Sequence, residues 1–498
     1  FDRAVIDALV HLDFKPDVIH CHDWQAAMTP AYLRALYHDW CPQTKLVFTI
    51  HNVEYQGWAD ASFFDNILGL PDEYRASLTF DGAINMMKGA IELSDIVTTV
   101  SKSYAEELRY PYYAHRLDGV LRNAWLWGIT NGIDTDVFDP ETDCALSANY
   151  SAADMNGKWV NKRALREEMG LNTDTDAPIL GMVTRLAGHK GIDLLCYIGQ
   201  RLMEREIQLV IVGTGEKQYE YALSALARQY PGRIAVRLCF DPALASRVYA
   251  GCDMYLMPSK SEPCGLSQLI AMHYGTVPIV RETGGLKDTV SPYESWRDAG
   301  NGFTFANYAG SDMLYVIREA VYLYKDYPDA FARLRDRAMA QDFSWNRSAG
   351  DYLRIYGAVT GLSWEKFAPE APAAEAAAPT EEPVIEVPAE EAVVSAAEPV
   401  SETAAKPAAK KTARKTAVKK PAAKKTTTRK TAAKATTKKA AEKAVEKPTE
   451  KAAEKPVEKP AEEPVKKTAA KTMAPADTVE TTQPVQPKKK GAAKKAAK

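Results

Sequence analysis

The segment Met257-Pro258-Ser259-Lys260-Ser261-Glu262-Pro263-Cys264-Gly265-Leu266 connects an apolar stretch of the chain to a helix-like one. The apolar residues 254–257 predict a short buried strand that ends at Pro258, and residues 267–272 predict a helix. The carboxylate of Glu262 is therefore expected at the carboxyl end of a strand, beside the N-terminus of a helix. Open α/β sheets bind ligands at this position. Taken alone, the loop is more typical of a first-turn carboxylate that interacts with the helix dipole.

The chain as a whole divides into two parts of different composition near residue 368. Its 498 residues exceed what a single hydrophobic core usually contains. Residues 369–498 contain no Phe, Tyr, Trp or Cys, and they carry 28 basic and 18 acidic residues, a net charge of +10. The preceding part carries 35 basic and 47 acidic residues, a net charge of −12. The whole-chain charge of −2 thus combines an acidic body with a basic tail.

The cysteine content indicates the cellular compartment. All seven cysteines lie in the body and show no paired short spacing. This pattern argues against a disulfide framework and against a zinc site, and it favours a reducing, cytoplasmic location. No apolar run is long enough to span a bilayer, so we expect no membrane contact. The first residue is Phe1 rather than methionine, which is compatible with a targeting segment upstream.

The body alternates strand-like and helix-like segments, which predicts an α/β fold with parallel sheets. The predicted strands are residues 17–20, 45–50, 95–100, 179–183, 208–212, 234–238, 254–257 and 277–280. The predicted helices are residues 4–12, 25–37, 83–93, 311–324, 327–339 and 345–359. Residues 140–176 are polar and poorly periodic, as expected of a connection between two successive α/β units.

Several polar clusters follow predicted strands and would meet if the two units faced one another. Arg185 and Lys190 supply a planar guanidinium and a point charge, a pair suited to a diphosphate. The loop Thr283-Gly284-Gly285 offers backbone amides that phosphate oxygens can approach closely. His22 and Glu262 could hydrogen-bond a sugar. These residues predict departure of a nucleotide diphosphate that positive charge and amides stabilise.

Each cluster also has a structural interpretation. Arg185 and Lys190 could begin a solvated helix, and His22 could be a surface histidine. The turn Gly213-Thr214-Gly215 is an incomplete glycine fingerprint and is more typical of a tight turn. Cys264 fits a packed small residue better than a nucleophile, because no base lies near it in the sequence.

The motifs in this order resemble those of the bacterial glycogen synthases and the related starch synthases. The matching segments span residues 1–362, and their combination is highly specific. They are residues 16–24, 49–52 with 55–57, 131–134, 185–191, 262–266 with Gln268, 283–286 and 343–345. The resemblance implies the GT-B fold, with an incomplete Rossmann-like domain at 1–150, a connection at 151–176, a second Rossmann-like domain at 177–341, and a closing helix within 342–362.

The resemblance also implies a reaction. Members of this family transfer glucose from ADP-glucose to the non-reducing 4-OH of an α-1,4-glucan, with retention at the anomeric carbon and without a metal or other cofactor. Retention in the family is usually assigned to front-face departure and attack, without a carboxylate nucleophile.

Residue roles follow by position from the resemblance. Arg185 and Lys190 match the diphosphate clamps, and Thr283, Gly284 and Gly285 match a phosphate-side loop. The sugar-side and base-side positions are Glu262 for the glucose hydroxyls, His22 for the 6-OH, Asn131 for a further sugar contact, and Phe240 for stacking on the adenine. Glu262, His22, Arg185 and Lys190 are therefore the predicted catalytic residues.

One departure from the family pattern concerns the start of the chain. The family's first βα unit carries a Lys-any-Gly-Gly-Leu loop that contacts the donor phosphates, and no such loop precedes Pro16. This observation predicts an N-terminally truncated chain whose own activity is uncertain.

The tail, residues 369–498, is expected to be disordered because it lacks the apolar residues that a core requires. Residues 406–439 hold 14 basic and no acidic residues and resemble linker-histone tails, which suggests contact with nucleic acid or another polyanion. A solubilising spacer is the simpler interpretation. For the body, the alternatives to an ADP-glucose-dependent synthase are a transferase that uses UDP-glucose or another acceptor, and a non-catalytic glucan-binding scaffold.

Overall fold

The structure, a computed structural model, describes residues 1–363. The predicted tail at residues 369–498, and with it the predicted polyanion contact, lies outside the described residues. The strands of the described part are β1 (Val18–His22), β2 (Lys45–Ile50), β3 (Trp58–Ala59), β4 (Thr79–Phe80), β5 (Ala83–Asn85), β6 (Ile96–Thr99), β7 (Leu126–Gly128), β8 (Ile179–Val183), β9 (Gln208–Val212), β10 (Ile234–Arg237), β11 (Met254–Met257), β12 (Val277–Arg281) and β13 (Phe303–Phe305).

The α-helices alternate with these strands along most of the chain. They are α1 (Asp2–His11), α2 (Met28–Leu36), α3 (Arg75–Leu78), α4 (Met86–Leu93), α5 (Lys102–Glu107), α6 (Asp118–Asn123), α7 (Asn156–Met169), α8 (Ile192–Leu202), α9 (Lys217–Gln229), α10 (Pro242–Gly251), α11 (Ser267–His273), α12 (Gly284–Thr289), α13 (Gly310–Asp326), α14 (Pro328–Met339) and α15 (Trp345–Thr360). In the described part, no helix combines the length and the apolar character that crossing a membrane requires.

Two parallel sheets organise the described residues, which confirms the predicted α/β class. The first sheet has the order β1-β2-β6-β7, and the second has the order β10-β9-β8-β11-β12-β13. We call residues 1–131 the first lobe and residues 156–341 the second lobe. The strand order of the second sheet reverses between β8 and β11, so a ligand-binding crevice is expected at the carboxyl ends of these two strands.

The apolar strands of the second lobe reflect burial on both faces. Side chains of β8, β9 and β12 pack beneath α8 and α13 on one side and against α7, α10 and α11 on the other. Parallel strands covered by helices on both sides read as continuous apolar runs rather than as alternating patterns. The predictions for residues 45–50, 179–183, 208–212 and 254–257 match the observed strands residue for residue for this reason.

The predicted helix at residues 83–93 is wrong at its start. Residues Ala83–Asn85 form β5, which pairs antiparallel with β4 and β3 in a small third sheet. The turn between β4 and β5 is Asp81-Gly82, and both residues have positive φ, 51° and 78°. Asp-Gly between two short strands is a strong hairpin signal, because both turn residues must adopt left-handed backbone angles.

The segment 140–176, whose polar and poorly periodic residues predicted a connection between the two units, contains helix α7. Its buried face carries lysines and an arginine, which hide the apolar periodicity. Lys162 Nζ lies 2.8 Å from Asp253 Oδ2, and Lys158 Nζ donates to the carbonyl oxygens of Ala250 and Tyr274. Because α7 packs on the second sheet, we propose that the second domain begins near this helix rather than at residue 177.

The closing helix α15 returns to the first lobe. Ile355 packs against Val47, Ile96 and Ile129 of the first lobe. The half-buried ring of His20 lies between this helix and the sheet, with Nδ1 at 2.7 Å from the hydroxyl of Tyr356 and Nε2 at 2.6 Å from Oγ1 of Thr49. The chain therefore crosses between the lobes a second time after completing the second lobe.

Candidate active site

A cavity of about 480 Å³ lies between the two lobes. Its walls differ in chemistry. The second lobe contributes mainly charged and loop residues, Arg185, His189, Lys190, Lys260, Glu262 and Gly265 among them. The first lobe contributes aromatic, imidazole and amide side chains, including His51, Asn52, Tyr112, Tyr113, His115 and Asn131.

Lys190 and Glu262 meet at the point where the second sheet reverses its strand order. Lys190 follows β8 and Glu262 follows β11, and Nζ of the lysine lies 2.6 Å from Oε2 of the carboxylate. Ser259 Oγ donates to the same oxygen at 2.9 Å. The Glu262 side chain is only 8% exposed, so this charge-assisted pair is largely shielded from water.

A glycine brings these two loops together. Gly191 adopts φ +76°, and a Cβ at this position would lie 2.2 Å from the carbonyl oxygen of Pro258. Only a residue without a side chain therefore allows the loop after β8 to approach the loop after β11 so closely. The sequence motif that ends in Gly191 is thus explained by backbone packing directly beneath the Lys190–Glu262 pair.

Arg185 and His189 extend the positive wall. Nη2 of Arg185 lies 3.5 Å from Nε2 of His189. The pKa of His189 is lowered by burial and then by the charges of Lys190 and Arg185, so its imidazole is expected to be neutral near pH 7. Two cations, one of them a planar guanidinium, and a neutral histidine form a wall suited to an anion such as a diphosphate.

The loop around Glu262, residues 258–266, is held from below by Arg281. Its Nε donates to the carbonyl oxygen of Ser259 at 2.8 Å, and its Nη2 donates to that of Lys260 at 2.6 Å. The arginine is 7% exposed. The sequence predicted a strand that ends just before Arg281, but it could not predict these contacts. A hydrogen bond to a backbone carbonyl does not depend on which residue type is contacted.

The backbone amides of the predicted phosphate loop, Thr283, Gly284 and Gly285, all have protein partners in this structure. The amide of Gly284 donates to Glu107 Oε1 at 2.9 Å, and the amide of Gly285 donates to the carbonyl oxygens of Glu262 and Pro263. Neither amide is free for a phosphate in this structure. The glycines have another explanation, since a Cβ on Gly284 would lie 2.0 Å from the carbonyl oxygen of Glu262, and one on Gly285 would lie 2.2 Å from that of Cys264.

The structure brings His51, rather than the predicted His22, to the cavity wall. His22 pairs in register with Thr49, so His51 lies two residues farther toward the cleft. The two rings are linked, with Nδ1 of His22 at 3.0 Å from Nε2 of His51. The pKa of His22 is lowered, first by partial burial and then by the charge of His51. The signal for His51 was its position after the second strand, where it directly follows the strand's last residue.

Asp23 fixes the backbone at His51. Its own backbone has φ 55°, an uncommon value for a non-glycine residue. Its Oδ1 accepts from the amides of His51 at 2.8 Å and Asn52 at 3.4 Å. A strained residue that aligns a neighbouring loop is typical of a functional site.

The remaining predicted residues differ in position. Asn131 lines the cavity, and its backbone amide faces the sulfur of Cys264. Phe240 follows the end of β10 and is 92% exposed, and it is not among the residues that line the cavity. Both positions lie beyond the carboxyl ends of strands, Asn131 after β7 and Phe240 after β10.

Two tyrosines that the sequence did not single out form much of the opposite wall. The rings of Tyr112 and Tyr113 lie 4.8 Å apart in a T-shaped arrangement, and Nζ of Lys260 lies 5.8 Å from the centroid of Tyr112. The next turn is strained, since His115 and Arg116 have φ values of 45° and 79°. Gln56 Nε2 donates to the carbonyl oxygen of His115 at 3.1 Å and holds this turn in place.

Cys264 is a packing residue. Its side chain is 4% exposed and joins the apolar cluster of the first lobe around Val100 and Tyr104. Burial raises the pKa of its thiol to about 12, so the reactive thiolate is scarcely populated at neutral pH. Within residues 1–363 no group of three or more His, Cys, Asp and Glu side chains is arranged to hold a metal ion.

Comparisons with known proteins identify both lobes. Residues 1–123 match the family model of the starch synthase catalytic domain, and residues 165–327 match that of the glycosyl transferases group 1. The chain is 46% identical over 370 residues to glycogen synthase of Clostridium beijerinckii, covering 72% of this chain and 77% of that protein. It is 45% identical over 362 residues to glycogen synthase of Geobacillus stearothermophilus, covering 72% and 74%.

A solved structure shows the same arrangement. The catalytic domain of starch synthase IV from Arabidopsis thaliana, bound to ADP and acarbose, is 35% identical and superposes with a TM-score of 0.68, over 72% of this chain and 76% of that one. The chain therefore belongs to the glycogen synthase and starch synthase family and is a hexosyltransferase of glycogen synthesis with the GT-B fold.

Proposed function

We propose that this protein transfers glucose from ADP-glucose to the non-reducing 4-OH of an α-1,4-glucan with retention at the anomeric carbon. The observation that carries this proposal is the Lys190–Glu262 pair, with Arg185 beside it, at the reversal point of the second sheet. The choice of ADP and a glucan is supported by the Arabidopsis relative, which was solved with ADP and acarbose.

The positive wall serves the leaving group. As the bond between the anomeric carbon and the diphosphate breaks, negative charge grows on the phosphate oxygens. Lys190 is held beside the cavity by Glu262, and Arg185 lines the same wall, so both are placed to stabilise this charge. Glu262 keeps Lys190 in place and accepts hydrogen bonds from hydroxyl groups of the donor glucose.

The first lobe serves the sugar. Its side chains at the cavity are mainly aromatic, imidazole and amide groups, with one carboxylate, Glu54, and such hydrogen-bonding groups suit a polyhydroxylated ligand. We propose that His51 takes the sugar contact expected of His22, with His22 supporting it from behind through the 3.0 Å contact. Asn131 contributes a further polar contact. Phe240, exposed beyond the end of β10, is the proposed stacking partner of the adenine.

Retention is proposed to proceed on one face of the sugar. The acceptor hydroxyl forms the new bond to the anomeric carbon on the face from which the diphosphate departs, and its proton passes to a phosphate oxygen of the leaving group. Glu262 is occupied by Lys190 and Ser259, and the Cys264 thiol is buried with a raised pKa. Neither is therefore suited to act as a covalent nucleophile.

The test is incorporation of labelled glucose into glycogen by the purified full chain. ADP-glucose and UDP-glucose are supplied in parallel, and the anomeric configuration of the product is read by NMR. The proposal predicts incorporation from ADP-glucose, a lower kcat/KM with UDP-glucose, and an α-linked product. Preference for UDP-glucose would establish the alternative donor, and a β-linked product would exclude retention.

A further inference from the structure

Two short helices from opposite lobes supply carboxylates to each other's first turns. Helix α5 belongs to the first lobe and α12 to the second. Asp288 of α12 accepts from the Ser103 amide at 2.8 Å and from its hydroxyl at 2.6 Å. At the other end of the pair, Glu107 of α5 accepts at Oε1 from the Gly284 amide and the Thr283 hydroxyl, both at 2.9 Å.

This arrangement satisfies a general requirement of helix ends. The first N–H groups of a helix have no partner within the helix, and a carboxylate that accepts from them is favoured by the local positive dipole. Such carboxylates usually come from the preceding residues of the same chain segment. Here each carboxylate comes from the helix of the other lobe. Both contacts can therefore form only when α5 and α12 keep this position relative to each other.

The same contacts extend to the backbone of Glu262. The amide of Gly285, next to the residue that Glu107 holds, donates to the carbonyl oxygens of Glu262 at 3.2 Å and Pro263 at 3.1 Å. From the first lobe, Ser101 Oγ donates to the Pro263 carbonyl oxygen at 2.5 Å. The peptide after Glu262 is therefore held between the start of α12 and the start of α5.

Glu107 is an unusual residue for a purely structural contact. Its Oε2 is buried and has no hydrogen-bond partner among residues 1–363. Burial raises the pKa of this carboxyl, although the Gly284 amide, the Thr283 hydroxyl and the charge of Arg281 partly oppose the shift. A buried oxygen without a partner costs free energy, so its presence calls for a compensating function.

We propose that Glu107 is a positioning residue for glucosyl transfer, which fixes the backbone of Glu262 from the facing lobe and acts as one unit with the Ser103–Asp288 contact. This inference rests on the proposed function, because its readout is transfer of glucose to glycogen. Glu107 itself lines no part of the cavity and touches no substrate in this assignment.

The first test compares three variants of the full chain. Glu107→Ala removes the acceptor for Gly284 and is expected to lower kcat by about 10- to 100-fold with little change in the KM for the donor, the scale of a small misplacement of a catalytic group. Glu107→Gln keeps an oxygen acceptor and is expected to stay within about threefold of the wild type. Glu106→Ala is the matched control, since Glu106 is the adjacent carboxylate and its side chain is 74% exposed.

The second test asks whether the two contacts act together. If they form one unit, the double variant Glu107→Ala/Asp288→Ala loses no more activity than Glu107→Ala alone. The first substitution already frees α5 and α12 to shift relative to each other, so the second has nothing further to disrupt. Losses that multiply would show two independent contacts and would overturn the reciprocal part of the proposal.

Hydrogen exchange provides a measurement that does not depend on activity. The peptide that contains Gly284 and Gly285 is expected to exchange its amide hydrogens faster in Glu107→Ala than in the wild type. In Glu106→Ala its exchange rate is expected to be unchanged. Equal kcat and equal exchange in both alanine variants would overturn the positioning role. If the wild type transfers no glucose while exchange at Gly284 still responds to Glu107→Ala, the proposed function fails and the interlobe contact stands.

Discussion

Nζ of Lys190 lies 2.6 Å from Oε2 of Glu262, and the two residues are 72 positions apart in the chain. They meet because β8 and β11 are neighbours in the second sheet, although two strands intervene along the sequence. The contact places a cation beside the expected diphosphate and uses the carboxylate to orient it. The pair should therefore matter for the chemical step more than for folding.

Lys190→Ala and Glu262→Ala should each lower kcat by at least about a hundredfold, the scale of losing one charge-stabilising group. Turnover is measured with ADP-glucose and glycogen, and circular dichroism checks that both variants fold. Lys15→Ala, which removes an exposed lysine of the first lobe, is the matched control. Turnover near the wild-type value in either site variant would rule out the assigned roles.

His51→Asn should lower kcat more than His22→Asn does, because His51 lines the cavity and His22 reaches it only through the His51 ring. Loss of one hydrogen bond to a neutral sugar hydroxyl should cost about tenfold, and loss of the supporting contact should cost less. The comparison uses kcat measured at saturating ADP-glucose. A larger effect at His22 would return the sugar contact to the residue that the sequence predicted.

Elements that the residues of a single segment determine could be predicted from the sequence. The strands at 179–183 and 208–212 are largely apolar because both faces are buried, and the motifs after them locate the site. The identities of Arg185, Lys190 and Glu262 as cavity residues followed from their position after strands. The guanidinium, ammonium and carboxylate groups of these three residues indicated their chemistry directly.

Features that depend on contacts between distant segments could not be predicted. The glycines at 284 and 285 predicted phosphate binding, but the sequence could not show that backbone packing against residues 262 and 264 also requires glycine at both positions. Helix α7 was missed because its buried lysines are satisfied by carbonyl oxygens and by Asp253, partners far away in the chain. Tyr112 was missed because an aromatic residue in a loop carries no sign of whether it faces a cavity.

Tyr112→Ala should raise the KM for the glucan about three- to tenfold while leaving the KM for ADP-glucose nearly unchanged. Its ring forms part of the cavity wall opposite the charged residues, and loss of one aromatic face costs on the order of 1 kcal/mol. Tyr110→Ala is the control, since Tyr110 is 63% exposed on the same segment and is not among the residues that line the cavity. A change confined to the KM for ADP-glucose would place Tyr112 on the donor side instead.

The stability of the first lobe should fall in mild acid because of His20. Burial, followed by the charges of His22 and His51, lowers the pKa of His20 to about 3 from its ordinary value of 6.5. The neutral ring bridges Tyr356 of α15 and Thr49 of β2. Between pH 6.5 and 3 the unfolded chain binds a proton on this residue and the folded chain does not. The free energy of unfolding therefore decreases as the pH falls through this window, by at most about 1.4 kcal/mol per pH unit from this group.

Urea unfolding at pH 7 and pH 5 measures this contribution. His20→Gln removes the titrating group, so the variant should lose less stability between the two pH values than the wild type does. His38→Asn, at an exposed histidine of the same lobe, should follow the wild type. Comparing the pH-dependent differences cancels any fixed cost of the substitution, including a weaker contact with Tyr356. If His20→Gln and the wild type lost the same stability on acidification, the acid sensitivity would have to arise from other groups of the chain.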